Sequence, residues 1–459
     1  MSTTATAQVR AGYRSGTPEN PTVVPIYQSA SYDFADFRAA TEIFALERAG
    51  NLYSRTGNPT NAVLERRIAA LDGGVAALAL ASGQAATAVA LLALARSGQH
   101  IVASNRVYGG TADLIGDTFA DFGIRATFVD PDDVDAWSAA SDAQTRAWFV
   151  ESVDNPLGSV PDLRRLADAA HALGVPLVVD NTVATPALLK PIEHGADVVV
   201  YSATKALGGH GAALAGLVVD AGSFDFRRDA ERWPQLTSPS ARFGGLVFAT
   251  DAPAGTSPYI AYARARLAHD LGPALSAHSA FLVLQGIETL DLRVQRQAES
   301  AVRIAAALER HPAVARVHHA GLPTHPDHRR AARLLRAVPA VFSFDIDAAE
   351  HRVGPFIDAL RLFTLAANIG DARSLVAHPA TMTHSRYTPE QLRAAGIGRG
   401  TIRLSIGLED PQELIADLHQ ALAVAVPGRA PATTDPATTA PSTPAPSTPA
   451  PSTTESTLA

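Results

Sequence analysis

The sequence predicts an α/β protein. A large domain carries a mostly parallel sheet covered on both faces, and a smaller α+β domain follows. Three observations predict this. Short apolar strands alternate with helical segments between residues 61 and 260. Strands such as Leu177–Val179 and Val198–Tyr201 are apolar at every position, the mark of strands buried on both faces. The chain has 459 residues, more than one small core accommodates.

Residues 1–60 are rich in Pro, Ser, Asn and Gly and read as an extended arm with a short helix over 37–48. A helix over 61–71 places Leu64, Ile68 and Leu71 on one face and stops at Gly73-Gly74. A strand over 76–80, an SGQ turn and a helix to Ala95 come next. Further strands are expected at 101–103, 126–129, 147–150, 177–179 and 198–201, with a helix over 162–172. The large domain is drawn as 61–260 and the small one as 261–426. The latter has a long helix over 282–309 interrupted at Gly286, strands at 314–317, 341–344 and 401–404, and a last helix over 411–423. Residues 427–459 are Pro, Thr, Ala and Ser with APSTP repeated; having nothing apolar to bury, they are expected to be disordered.

Composition excludes several classes. A net charge of −7 argues against non-specific nucleic-acid binding. No run of 18 apolar residues exists, the stretch over 78–94 being broken by Ser82 and Gln84, so no membrane span is expected. The N-terminus lacks a signal-peptide pattern, which points to the cytoplasm. With no cysteine, disulfide and thiolate chemistry are excluded, and no metal is expected. Lys190 and Lys205 are the only lysines. Arginine can replace lysine in most surface roles. It cannot do so where a neutral primary amine must bond to a carbonyl carbon.

Four motifs carry the chemistry. The strand Val178-Val179 ends in Asp180, where open α/β sheets place ligands; such an acid can cap a helix or pair with a ring nitrogen. The next strand ends in Tyr201-Ser202-Ala203-Thr204-Lys205, followed by Gly208-Gly209-His210-Gly211, where hydroxyls and flexible backbone suit a phosphate. An acid ending one strand and a lysine just past the next suit pyridoxal phosphate (PLP), the acid keeping the pyridine nitrogen protonated and the lysine holding the aldehyde. Lys190, without hydroxyl or glycine neighbours, reads as structural. Ser82-Gly83-Gln84, between strand and helix, reads as the main phosphate cradle. Tyr108, in VYGGT, can stack on the ring, act as acid or base, or simply pack in the core.

YSRTGNPT (53–60), ASGQAA (81–86), VYGGT (107–111), VVDNT (178–182), YSATKALGGHG (201–211) and IRLSIGLED (402–410) occur in this order. Together they resemble the Cys/Met-metabolism family of PLP enzymes over about residues 10–425. The resemblance implies an aspartate-aminotransferase-like fold (fold type I) and a homotetramer built from dimers. It makes Lys205 the Schiff-base lysine, Asp180 the partner of the pyridine nitrogen and Tyr108 the stacking residue. Gly83, Gln84, Ser202 and Thr204 would hold the phosphate, joined by Tyr53 and Arg55 from the neighbouring subunit. Asn155 would lie near the ring, and Arg403 would clamp the substrate α-carboxylate.

Within the family, GGHG (208–211), the insertion over 224–256, ARARLAHDLG (263–272), LQGIETLDLR (284–293) and NIGDARSLVAHPATMTHS (368–385) resemble the sulfhydrylases that act on O-acetylhomoserine. Asn368 stands where the lyases usually carry serine, which places it among the substrate contacts. The segment RWPQLTSPSARFGG (232–245) departs from the pattern in lacking a Tyr-His-Gly element. The reaction implied is γ-replacement on a small amino acid, with Lys205 as the base and Tyr108 as a second acid–base group. Elimination by a methionine γ-lyase or cystathionine lyase, condensation as in cystathionine γ-synthase, and a non-catalytic scaffold are the rival readings.

Overall fold

The computed structural model describes residues 3–429, apart from 17, 18, 49, 254 and 349. The expected Pro/Thr tail lies outside the described residues from 430 onward.

The larger sheet has seven strands: β1 (Ala76–Leu80), β2 (His100–Ser104), β3 (Arg125–Val129), β4 (Thr145–Glu151), β5 (Leu177–Asp180), β6 (Val198–Ser202) and β7 (Gly216–Asp220). Their order is β1-β7-β6-β5-β4-β2-β3. All run parallel except β7, which is antiparallel to both its neighbours. The consecutive apolar residues divide between the two faces: Leu177, Val179 and Val199 feed one core, Val178, Val198 and Val200 the other. Such strands need helices on both sides.

Those helices begin where the sequence supplies caps. In α1 (Pro59–Asp72), Asn58 accepts from the Thr60 N–H, and Gly73 closes the C-terminus at φ 82°. Ser82 caps α2 (Gly83–Leu94), and Asp162 caps α3 (Leu163–Ala172). The next two are α4 (Ala277–Glu288) and α5 (Leu290–Glu309). The second sheet joins β8 (Val314–His318), β9 (Val341–Ile346), β10 (Thr364–Leu365), β11 (Leu375–Ala377) and β12 (Thr401–Ser405) in the order β10-β11-β12-β9-β8, and α6 (Pro411–Ala425) packs on it.

The structure differs from expectation in several places, among them a helix over Thr4–Arg10 in the arm. Strands β7, β10 and β11 were not expected. The arm helix ends at Phe44 rather than residue 48. The helix expected over 282–309 is two helices that part at Thr289, not at Gly286. Gly286 lies inside α4, where a Cβ would stand 2.3 Å from the Gly208 carbonyl oxygen; the glycine permits close approach of two backbones. Finally, Leu284, Ile287 and Val294 share the large-sheet core with Leu64 and Ile68, while Ala301 begins the small-domain core. The change of core therefore falls along α5, past the expected boundary at 261.

Candidate active site

The carboxyl ends of β1, β2, β4, β5 and β6 share one edge of the large sheet. They open on a cavity of about 280 Å³, closed by Arg403 of β12 and the segment around Asn368. Every predicted site residue lines it except Tyr53 and Arg55.

At one end, Ser82 Oγ accepts from the Ala85 N–H at 3.1 Å and so opens α2. The N–H groups of Gly83 and Gln84 have no acceptor among the described residues, so the helix start offers free donors to an anion. Gly83 is pressed against Ser202: a Cβ there would lie 2.5 Å from the Ser202 Cβ. The Gln84 amide donates to the Gly110 carbonyl at 2.5 Å, and the Ser202 N–H donates to Thr182 Oγ1 at 2.8 Å. The Thr204 hydroxyl accepts from the Ala215 N–H at 3.0 Å and donates to the Ala215 carbonyl at 3.3 Å.

At the centre, Asp180 Oδ1 accepts from the Thr182 N–H at 2.9 Å. Burial raises the Asp180 pKa, and the Thr182 hydrogen bonds act against that rise. Tyr108 is exposed to the cavity, and Gly110 makes room for it, since a Cβ there would meet the ring at 2.6 Å.

At the other end, Lys205 Nζ donates to Asn368 Oδ1 at 2.7 Å. Burial, then the charge of Arg403, pushes the lysine down to about 8. Arg403 is itself buried, which pushes it down to about 10. It donates to Asn155 Oδ1 at 3.2 Å and to the Asn368 carbonyl at 3.1 Å. Asn368 thus touches both cations, one through its side chain and one through its backbone. Arg293 fixes the loop behind Lys205 by donating to the carbonyls of Ala206 (2.9 Å) and Gly286 (2.7 Å).

Tyr53 and Arg55 lie outside this cavity and are exposed. The Arg55 guanidinium stacks 5.7 Å from the Tyr53 ring and donates to the His269 carbonyl. Lys190 is also outside, 4.0 Å from Glu193. The cavity adds Glu151, which sequence reasoning passed over. The signal was present: Trp148-Phe149-Val150-Glu151 is an apolar strand ending in an acid, just as Val178-Val179-Asp180 is.

A sequence profile described as the Cys/Met metabolism PLP-dependent enzyme family matches residues 5–423. The chain belongs to this family. The O-acetyl-L-homoserine sulfhydrylase of Leptospira meyeri is 43% identical over 87% of this chain and 92% of its own. The homocysteine synthase of Schizosaccharomyces pombe is 40% identical over 92% of this chain and 98% of its own. A Campylobacter jejuni crystal structure containing N'-pyridoxyl-lysine-5'-monophosphate superposes with a TM-score of 0.88 at 36% identity, covering 92% of this chain and all of that one. The mostly parallel large sheet and the smaller sheet domain are those of the family's aspartate-aminotransferase-like fold.

The cavity's donor set fits the family's cofactor, PLP. Free helix N–H groups suit its phosphate. Asp180, half-buried at the cavity, has no cationic partner among the described residues, which suits a protonated ring nitrogen. A lysine whose pKa is pushed down suits its aldehyde. Tyr108 offers an aromatic face.

Proposed function

We propose that this protein is an O-acetyl-L-homoserine sulfhydrylase. It replaces the acetate of O-acetyl-L-homoserine with sulfide, or methanethiol, giving L-homocysteine, or methionine. The observation that carries the reading is the chain from Lys205 through Asn368 to Arg403: an amine with a lowered pKa set beside a buried guanidinium in one cavity. The names of relatives 40% and 43% identical over most of the chain support the same reading.

In this reading the N–H groups of Gly83 and Gln84, with Ser82, Ser202 and Thr204, hold the phosphate. Asp180 would pair with the ring nitrogen, Tyr108 would offer its face to the ring and Asn155 would help hold it. Bound PLP supplies an electron sink for charge developing next to the substrate's α-carbon. Arg403 takes the α-carboxylate in its two-pronged fork, which Asn155 and the Asn368 carbonyl orient. Lys205 Nζ, when neutral, would remove the α proton, hand it on to the electron-accepting system that PLP supplies and, neutral again, remove a β proton, so that acetate can leave from the γ carbon. Asn368 sets where that amine stands. Sulfide adds at the γ carbon, and Lys205 returns the protons, with Tyr108 as the second acid–base group. Tyr53 and Arg55, exposed outside their own cavity, serve the phosphate of a neighbouring copy in a homotetramer. Among the described residues no helix is long and apolar enough to cross a membrane.

A product assay on PLP-loaded protein tests the assignment. O-acetyl-L-homoserine is supplied with sulfide, with cysteine, or alone. Homocysteine in the sulfide tube only is the expected result. Cystathionine in the second tube would make the protein a synthase, and 2-oxobutyrate in all three an eliminating lyase.

A further inference from the structure

Tyr108 stands at the start of a short helix and is followed by Gly109 and Gly110. Two glycines give the backbone little intrinsic preference, so the ring's position depends on what holds its main chain. Residue 107 is buried, which anchors one side. On the other, the Tyr108 N–H donates to Glu151 Oε1 at 2.6 Å, the length of a strong hydrogen bond. Glu151 ends β4 as Asp180 ends β5, and the two are in register on adjacent parallel strands. Both line the cavity. Among the described residues neither has a cationic partner. An acid buried unpaired at a ligand cavity is costly and calls for a reason beyond packing.

We propose that Glu151 is a positioning residue that holds the Tyr108 backbone, and so fixes the aromatic ring against the cofactor. The inference rests on PLP lying between Asp180 and Tyr108, as in the proposed function. Burial raises Glu151 far above the ordinary carboxylate range, with the charge of Asp180 adding to the rise. This favours the protonated acid. A protonated acid still accepts the Tyr108 N–H through its carbonyl oxygen, and glutamine copies that shape. Glutamine therefore keeps the clamp, whereas alanine removes it.

The test compares E151A and E151Q with the parent, all loaded with PLP and matched for far-UV circular dichroism and cofactor content. PLP is achiral, so its visible circular-dichroism band reports how rigidly the site holds the ring. In E151A the band should weaken and kcat should fall on the order of tenfold to a hundredfold, with KM changing less. E151Q should recover most of both. If E151A keeps the parent band and a kcat within about twofold of it, or if E151Q falls as far as E151A, the proposal is overturned. The band is read without substrate. A parent protein that makes no homocysteine would therefore undo the proposed reaction while leaving the Glu151 comparison valid.

Discussion

The amine of Lys205 is partly buried beside the charge of Arg403, and both effects favour its neutral form. Only that form attacks an aldehyde. The rate at which the cofactor-free protein takes up PLP should therefore rise with pH and level off above about 8, followed as the visible absorbance of the bound cofactor. A rate still climbing toward 10.5, the ordinary lysine value, would contradict the buried setting. Stability follows the same sign. The folded state binds the proton less tightly than the unfolded chain does. The penalty of a buried charge is thus present in full below about 8 and is relieved as the pH climbs from there to 10.5. At this scale the sequence was informative where chemistry leaves little choice. A lysine in a nearly lysine-free chain and an acid at a strand end were both legible. Glu151 carried the same strand-end signal as Asp180, but without a lysine past the following strand it had no partner to single it out.

Elements bring these residues together. Alternation of apolar strands and helices was enough to predict β1 to β6: β1 to β5 are each followed by a helix, with side-chain caps after β1, β3 and β4, and β6 is apolar at every position before its last. β7 escaped notice because it follows β6 after a loop rather than a helix, running antiparallel. Gly286 read as a helix break because glycine is a poor helix former. Its position is explained by a contact 78 residues away along the chain, with Gly208, which periodicity cannot reveal. That contact seats α4 against the loop carrying Lys205. Gly286→Ala would put a Cβ 2.3 Å from the Gly208 carbonyl oxygen. The helix and the loop must then separate, at a cost of about 1–3 kcal/mol. Chemical denaturation of the cofactor-free protein should show that loss, and PLP should bind more weakly. An unchanged midpoint would mean the two backbones part freely.

The whole molecule joins two domains at the cavity. The large sheet contributes the strand ends that suit a cofactor, and the small sheet contributes Arg403 for a substrate. Tyr53 and Arg55 lie outside the cavity of their own chain, where the resemblance expects them to serve the phosphate of a second copy. The scarcity of lysine is also a property of the whole chain, and it makes the central claim unusually simple to test. The PLP-loaded protein is reduced with borohydride, digested, and the peptides of Lys190 and Lys205 are weighed. The pyridoxyl mass should sit on the Lys205 peptide alone; finding it on Lys190, or on neither, would contradict the account.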